Sequence, residues 1–288
     1  MISKGLAITM IFLAESANYG ESVGNVSSLK KISRGLGDQY TYISRQAIRF
    51  NIAEQLGEDL APVEKNKDKG VIQFSEDATI DKYPELDFFG YLKLKKDTNG
   101  KKRSAKVRIS NAISLETFKG DLDFLTNKGQ ADKIKENMNI AQSEIHRSYY
   151  RYTIVIDLDQ IGEDEVYKIS VDLPERARRV KRLLDTISLL YRDIKGRRED
   201  LKPLFAIGGV YDIKNPVFQN AVDVKNNCID VERIQEVLYD SIKEDTLCGI
   251  MNKVFDNTKE VKEILHAVSM PEFFKALKEK VDGYYESN

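Results

Sequence analysis

The sequence predicts an α+β protein with a ferredoxin-like core, the β-α-β-β-α-β arrangement that RNA recognition motifs also use. Two segments rich in apolar and β-branched residues, 2–13 and 151–158, are typical of buried central strands. A helical pattern follows each run, and a third apolar strand at 203–211 follows the second helix. The 288 residues, 41% of them hydrophobic, suffice for one such core with charged insertions.

The first helix is predicted at 41–56, after a glycine-punctuated loop, and Gly57 ends it. The apolar run at 5–14 follows Lys4 and precedes Ala14-Glu-Ser-Ala17, so it loosely resembles a secretory signal. Because it is short and contains Thr9, we interpret it as a buried strand. The helical wheel places two sets of side chains on opposite arcs, with Ile43, Ala47 and Phe50 toward the core and Arg45, Gln46 and Arg49 toward solvent.

Residues 58–145 are predicted to be an insertion into the core. Strands at 86–95 and 106–113 are expected to pair with each other, because the turn between them holds Asn99-Gly100, a strong hairpin signal. The core would then comprise residues 1–57 and 146–288.

The second half of the chain continues the alternation of strands and helices. A helix is predicted from Pro174, which suits a first helical turn, and its apolar spacing continues to Ile194. The capping box Ser269-x-x-Glu272 begins a later helix. The other elements predicted after the strand at 151–158 are strands at 203–211 and 217–224 and helices at 229–242 and 270–281.

Charge and cysteine content exclude several classes of protein without indicating a function. The formal net charge is −1, so bulk charge gives no support for nucleic-acid binding. Cys228 and Cys248 form no Cys-x-x-Cys pair, and His146 and His266 are far apart in sequence, so no zinc site is predicted. Two unpaired thiols are typical of a reducing cytosol, and no apolar run has the length of a membrane span. We therefore expect a cytoplasmic protein that needs no metal, cofactor or membrane.

Basic residues nevertheless cluster in three runs, and a local basic surface can bind phosphate on a neutral protein. Taken alone, each run is more simply explained as a solvated charged face. The runs comprise Lys30, Lys31, Arg34, Arg45 and Arg49; then Lys101, Lys102, Arg103, Lys106 and Arg108; and last Arg176, Arg178, Arg179, Lys181 and Arg182.

Five short motifs, in order along residues 1–225, resemble the backbone subunits of type I CRISPR surveillance complexes (Cascade), which belong to the RAMP superfamily. The fourth motif is similar to the signature of the DevR-like branch found in type I-B systems. The motifs are Tyr42-Ile43-Ser44-Arg45-Gln46-Ala47-Ile48-Arg49, Asp87-Phe88-Phe89-Gly90, Arg108-Ile109-Ser110-Asn111-Ala112-Ile113, Glu144–Tyr152 running into Ile156-Asp157-Leu158, and Gly208-Gly209.

The resemblance implies a hand-shaped, non-catalytic protein that binds CRISPR RNA (crRNA), the guide. The ferredoxin-like core would be the palm, residues 58–145 the fingers, and a hairpin near 207–220 the thumb. Copies would stack head to tail along one guide, beside other Cascade subunits. The guide would then be presented for pairing with target DNA in antiviral defence.

A guide of any sequence must be held through phosphate and sugar, so that its base edges stay free for pairing. Arginine suits this task, because its planar guanidinium can donate two hydrogen bonds to one phosphate. From the helix alone, pairing of Arg45 and Arg49 with nearby acids is an equal alternative. With the resemblance, we expect RNA contacts from Asn18, Lys30, Lys31, Arg34, Ser44, Arg45, Gln46, Arg49, Lys106, Arg108, Arg147, Arg151, Gly208, Gly209 and Lys214.

The implied thumb needs an apolar wedge beside the RNA to flip a base out of the guide. The candidates are Ile213, Val217 and Phe218, while Gly208-Gly209 would let the backbone approach the RNA closely. The alternative is an ordinary hairpin with a phenylalanine in the core.

No catalytic residue is predicted. Hydrolysis of RNA needs a positioned base, nucleophile or metal. His146 has no histidine partner, and Asp38 has no second carboxylate near it in sequence. Two alternatives stay open: a ribonuclease of the same superfamily that cuts guide or target RNA, and a ferredoxin-like protein that binds no RNA.

Overall fold

The computed structural model describes residues 2–66, 70–95 and 100–288, which form a mixed α+β fold. The strands are β1 Gly5–Ala14, β2 Tyr19–Val23, β3 Val26–Leu29, β4 Lys31–Arg34, β5 Asp38–Ile43, β6 Val63–Lys65, β7 Ile72–Phe74, β8 Tyr91–Lys93, β9 Lys101–Arg103, β10 Val107–Ile109, β11 Ala112–Ser114, β12 Asp121–Thr126, β13 Ile140–Ile145, β14 Ser148–Asp157, β15 Glu163–Asp164, β16 Ile169–Ser170, β17 Tyr191–Ile194, β18 Arg197–Asp200, β19 Phe205–Tyr211, β20 Val224–Lys225, β21 Cys228–Ile229 and β22 Thr246–Ile250. The helices are α1 Arg45–Gln55, α2 Pro84–Phe89, α3 Lys128–Ile134, α4 Leu173–Ser188, α5 Val231–Gln235, α6 Asp240–Lys243, α7 Thr258–Leu265 and α8 Met270–Glu286.

The central sheet is antiparallel, with strand order β22-β19-β1-β14-β11-β5-β4, and β10 also pairs with β14. β1 lies in the middle, with Ile8 opposite Ile154 on one side and Gly208 on the other. Its only polar side chain is Thr9, whose Oγ1 lies 2.8 Å from that of Thr153. The two threonines thereby satisfy each other's hydroxyls inside the sheet.

Alternate residues of the central strands face two separate cores, because successive side chains of a strand point to opposite faces. On the first face, Ile8 and Met10 pack with α1, α4 and α8. On the second face, Ala7 and Ile11 pack with the segment 212–268. Within the described residues, β5 and β11 contribute no side chain to this second core. Part of the second face therefore stays open.

Capping side chains fix where the helices of the first core begin. Ser44 and Asp172 each accept a backbone N–H from the first turn, of α1 and α4 respectively. Pro174 lies in the first turn of α4, and Ser269 with Glu272 forms the capping box of α8, both as predicted.

The strands predicted at 2–13, 151–158 and 203–211 are confirmed as β1, β14 and β19. The prediction of a loop between the first strand and the first helix is wrong, because β2, β3, β4 and β5 occupy it. The helix predicted at 41–56 therefore begins later, at Arg45.

The predicted inward arc of the first helix is also wrong in part. Phe50 is 63% exposed, whereas Ile48, Ile52 and Ala53 are buried. Ile43 is buried as a strand residue of β5, so it does not share a helical arc with the others.

The predicted insertion at 58–145 contains two strands of the central sheet, β10 and β11. The strand predicted at 86–95 is instead α2 followed by β8, and its partner is β9 rather than 106–113. Asn99, the centre of the hairpin signal, lies outside the described residues.

In the second half, α4 ends at Ser188, and its predicted continuation to Ile194 is the strand β17. The helix predicted at 229–242 is two short helices, α5 and α6. The strand at 217–224 and the hairpin at 207–220 are wrong, because the described residues between β19 and β20 form turns and β19 lies in the central sheet.

Within the described ranges, no helix is long and apolar enough to cross a membrane. Cys228 and Cys248 are free thiols, and Cys248 is buried.

Candidate nucleic-acid interface

The N-terminus of α1 is held by two asparagines. Asn18 Oδ1 accepts the backbone N–H of Ser44 at 2.8 Å, and Asn111 Oδ1 accepts that of Arg45 at 2.9 Å. Ser44 is the N-cap of α1, whereas the predicted helix at 41–56 would have placed it inside the first turn, so that prediction is corrected. Asn18 and Ser44 therefore position the arginines of α1.

A first groove, of about 420 Å³, runs between α1 and β10. The predicted residues Arg45, Gln46, Arg49 and Arg108 all line it, together with Phe89, Ala105, Val107 and Ile109. The Arg49 guanidinium stacks 4.8 Å from the Phe89 ring and lies 4.0 Å from Glu85. Burial lowers the pKa of Arg49 from its usual value, and Glu85 opposes that effect. The groove thus combines cations with an apolar floor.

A second groove, of about 210 Å³, adjoins the first and shares Arg108 and Ile109 with it. Lys214, Thr153 and Gln219 also line this groove, so the structure brings Lys214 and Arg108 together. Arg108 lies 2.8 Å from Asp157, and that hydrogen bond raises the pKa of Arg108.

Two of these predicted cations have close neighbours. Lys214 forms an ion pair of 2.5 Å with Asp159. Lys106 lies beside the first groove and donates to Ser104 Oγ at 3.3 Å. Burial and the nearby charge of Arg103 lower the pKa of Lys106.

The open part of the second sheet face carries aromatic and basic side chains in register. Tyr42 of β5 lies opposite Ile113 of β11, which lies opposite Arg151 of β14. Tyr40 shares the face with Tyr42, two residues along the strand. Sequence reasoning missed both tyrosines because it assigned this segment to a loop and a helix. The alternation of Tyr40 and Tyr42 with Thr41 and Ile43 was the signal that could have found β5.

Arg34 and Arg151 lie at the margin of this open face. The Arg34 guanidinium is 5.4 Å from the Tyr40 ring, and Arg151 donates to the carbonyl of Val222 at 2.5 Å. Burial lowers the pKa of Arg151, Asp223 raises it, and Arg233 and Arg34 lower it further. Three arginines, Arg34, Arg151 and Arg233, therefore surround the single carboxylate of Asp223 at this margin.

The remaining predicted cations lie apart from the grooves. Lys31 Nζ is 2.6 Å from Glu144 and stacks over the Phe118 ring, while Arg147 is exposed, 3.3 Å from Glu15. Lys30, between β3 and β4, forms no ion pair with the described residues.

The prediction that Gly208-Gly209 meets RNA is corrected. Both glycines are buried in β19. A Cβ would collide with the Ala7 carbonyl at Gly208 and with the Asp245 carbonyl at Gly209, so close strand packing requires glycine at both places.

Two of the three wedge candidates pack in the second core, so they are corrected. Phe218 is 2% exposed and belongs to the second core, and Val217 packs against it. Of the alternative, an ordinary hairpin with a phenylalanine in the core, the buried phenylalanine is confirmed and the hairpin is not. Ile213 is exposed, close to Lys214 at the second groove.

The two groups considered for catalysis lie apart from these grooves. His146 is buried, with Nδ1 2.8 Å from Thr41 Oγ1, and burial lowers its pKa. Asp38 is exposed at the start of β5. Among the residues that the structure describes, no group of three or more His, Cys, Asp and Glu side chains could hold a metal ion.

Comparison with known proteins identifies the family of this chain and shows which solved structures share its fold. The model of the family described as "CRISPR-associated negative auto-regulator DevR/Csa2" matches residues 6–233. A curated relative, "CRISPR-associated protein Cas7/Cst2/DevR" of Myxococcus xanthus (strain DK1622), is 26% identical in an alignment of 158 residues that covers 48% of this chain and 52% of that protein. The match thus spans about half the length of that relative.

Two solved structures share the fold. A chain of a "CRISPR RNA-guided surveillance complex, pre-nicking" superposes with a TM-score of 0.59 at 12% identity, covering 98% of this chain and 99% of that chain. A chain of a "CRISPR RNA-guided surveillance complex" gives 0.56 at 16% identity, covering 96% and 98%. Because the family model spans most of the sequence, the chain belongs to the DevR/Csa2 family of CRISPR-associated proteins.

Proposed function

We propose that this protein is a non-catalytic, crRNA-binding backbone subunit of a type I Cascade complex, of subtype I-B, in the cytoplasm. It polymerises head to tail along the guide, beside other Cascade subunits, and presents the guide for pairing with target DNA. The observation that carries the proposal is the pair of adjoining grooves, which share Arg108 and Ile109. We call these two grooves, together with the open sheet face that bears Tyr40 and Tyr42, the track.

The chemistry of this track suits a guide of any sequence. Arg45 and Arg49 offer planar guanidinium groups to phosphate oxygens, contacts that carry no base information. Tyr40 and Tyr42 offer rings on which bases stack with little sequence preference. The track therefore combines the two contacts by which proteins hold single strands without reading them.

The strand order supports a ferredoxin-like palm. The order β19-β1-β14-β10 is the fourth, first, third and second strand of a β-α-β-β-α-β unit whose helices are α1 and α4. We assign the fingers to the parts of 58–145 outside the sheet, 58–106 and 115–145. No thumb is assigned to 207–220.

Purification from a heterologous host that expresses a CRISPR array tests the proposal. We expect the protein to retain crRNA, to absorb strongly at 260 nm, and to form multimers that lengthen with the RNA. Labelled RNA and DNA should stay intact with Mg²⁺ or Mn²⁺. A nucleic-acid-free protein would contradict the proposal, and cleavage abolished by Asp38→Ala or His146→Ala would favour the ribonuclease alternative.

A further inference from the structure

Two acids lie close together at the end of β14, and each forms an ion pair with a cation of the second groove. Asp157 Oδ1 lies 2.8 Å from Arg108 Nη1, and Asp159 Oδ1 lies 2.5 Å from Lys214 Nζ. Acids beside a groove that attracts phosphate are unexpected, because like charges repel. The acids either compete with phosphate for these cations or hold the cations in place for it.

The acids lie behind the cations rather than in the groove. Among the described residues that line the two grooves, Arg108 and Lys214 are present and neither acid is. The side chains of Asp157 and Asp159 are 7% and 13% exposed, whereas those of Arg108 and Lys214 are 51% and 30% exposed. Burial lowers the pKa of Lys106 and both acids raise it, so a third cation lies close to them. Positive charge therefore remains in excess on the groove side.

Each cation keeps hydrogen-bond donors for a ligand. A guanidinium has five N–H donors and an ammonium has three. Asp157 accepts from Nη1 of Arg108, which leaves the other donors of that group for phosphate. Lys31 differs, because its pair with Glu144 leaves both side chains only 18% exposed. The geometry of the second groove thus favours positioning over competition.

The backbone that carries the two acids is held by neighbouring elements. The N–H of Asp157 donates to the Lys106 carbonyl at 2.9 Å. Asp159 lies in a 3-10 turn, Leu158–Gln160, whose Leu158 side chain is fully buried. A preorganised binding site requires rigid support of this kind.

The end of β14 also gathers two cations from different segments of the chain. Gly5 lies opposite Asp157 in the pairing of β1 with β14, and a Cβ at Gly5 would lie only 2.9 Å from the Lys214 side chain. Lys214 therefore packs directly on β1, as only glycine allows. On the other side of β14, the strand β10 supplies Arg108.

We infer that Asp157 and Asp159 are positioning residues, which hold Arg108 and Lys214 as a preformed site for phosphate groups of the RNA backbone. The inference rests on the proposed function and names the residues that prepare two of its cations. A long cationic side chain normally loses rotamer freedom when it binds a ligand, which weakens binding. The acids have already restricted that freedom, so less of it is lost when RNA binds.

Charge-matched substitutions test the inference on a short guide that accommodates one subunit. Asp157→Ala and Asp157→Asn both remove the negative charge, but asparagine keeps an oxygen that can accept from Arg108. The alanine variant should bind the guide about two- to tenfold more weakly than the asparagine variant, as expected for immobilising one long side chain. Equal affinities would overturn the inference, and equal affinities above that of the unchanged protein would assign the competing role to the acid.

The Arg108→Ala background separates positioning from a general effect on the fold. In this background Asp157→Ala and Asp157→Asn should bind the guide equally, because the side chain that the acid positions is absent. A difference that persisted would show that Asp157 acts through the fold rather than through Arg108, and the inference would be overturned.

The pair of Asp159 with Lys214 allows a second test, which decides the inference if Asp157→Ala does not fold. Asp159→Ala should bind more weakly than Asp159→Asn, and Lys214→Ala should abolish that difference. The matched control is Asp212, which lies in the same loop and pairs at 2.8 Å with Lys4. Among the described residues that line the grooves, Lys4 is absent, so the alanine and asparagine variants of Asp212 should bind equally.

The unchanged protein separates this inference from the proposed function. If it does not bind the short guide, the proposed function fails and the inference fails with it. If it binds the short guide and the alanine and asparagine variants of both acids do not differ, only the inference fails.

Discussion

Two arginine-rich regions of this protein have similar composition and opposite surroundings. On α4, Arg176 lies 2.5 Å from Glu163, Arg178 lies 2.6 Å from Glu58, and Arg182 donates to a backbone carbonyl. On α1, Arg45 is exposed and forms no ion pair with the described residues, and Arg49 approaches an acid only at 4.0 Å. The arginines of α4 stabilise the fold, because acids and carbonyls lie within hydrogen-bonding distance of them. The arginines of α1 have few such neighbours, so their guanidinium groups are available to a ligand.

The extreme case on α4 is Arg179, whose side chain is almost fully buried. It lies 3.0 Å from the buried carboxylate of Asp87 and donates to the Ile80 carbonyl at 2.8 Å. Arg103 is the second cation on Asp87, at 2.8 Å. Burial raises the pKa of Asp87, and Arg103 and Arg179 oppose that shift. This cluster ties α2 and β9 to α4.

The largest effect is therefore expected for Arg179→Ala. Removing one partner of a buried ion pair costs about 3–5 kcal/mol. Because Arg103 would still lie beside Asp87, we expect a loss near the lower end of that range, about 3 kcal/mol. Urea unfolding should show this loss, while the folded fraction binds guide RNA normally. Arg178→Ala is the control on the same helix, half exposed, with an expected cost of about 1 kcal/mol or less. Equal losses for the two variants would contradict the comparison.

The opposite behaviour is expected for Arg45→Ala combined with Arg49→Ala. The free energy of unfolding should change little, because neither side chain is buried in the core. Guide affinity should fall about tenfold or more, through loss of charged hydrogen bonds. The slope of log affinity against log salt should flatten by about 0.7 per phosphate contact on single-stranded RNA. Two guides of unrelated sequence should be weakened equally.

Matched variants show whether these arginines contact phosphate. Tyr42→Ala should weaken binding by about 1–3 kcal/mol per stacked base and leave the salt slope unchanged, because stacking releases no counterions. Arg198→Ala removes an exposed arginine of β18 outside both grooves and should change neither quantity. An unchanged slope in the double arginine variant would mean that these guanidinium groups do not contact RNA.

The sequence predicted the parts of the fold whose signals are local. β1 is apolar apart from Thr9, β14 is rich in aromatic and β-branched residues, and the capping box of α8 needs only two residues. It did not predict β2 to β5, because these short strands are polar and interrupted by glycines. β2 pairs with β3 and β4 with β5 as local hairpins, but each hairpin joins its sheet only through a partner distant in sequence, β13 for β3 and β11 for β5.

In the candidate site too, the sequence predicted what depends on local structure and did not predict what depends on tertiary packing. The helical wheel correctly grouped Arg45, Gln46 and Arg49, because α1 positions them by its own period. It could not foresee that Phe218 is buried or that Gly208 lies against β1, since both depend on tertiary packing. The acids that occupy the α4 arginines come from several different segments of the chain, which no local pattern reveals.

The smallest effects on stability and RNA binding are expected for two adjacent basic residues, the paired Lys31 and Lys30, which is unpaired among the described residues. Lys31 is held by Glu144 at 2.6 Å, with both side chains 18% exposed, and it lies 4.3 Å from the Phe118 ring. Lys31→Ala should therefore lower the free energy of unfolding by about 1 kcal/mol and leave the salt slope of RNA binding unchanged. Lys30→Ala should do the reverse, flattening the slope by about 0.7 with no measurable change in unfolding. The free energy of unfolding and the salt slope should be measured on both variants. If the slope changes only in Lys31→Ala, the phosphate contact belongs to the lysine that is already paired with Glu144. The absence of an ion pair would then not be what distinguishes these two lysines in RNA binding.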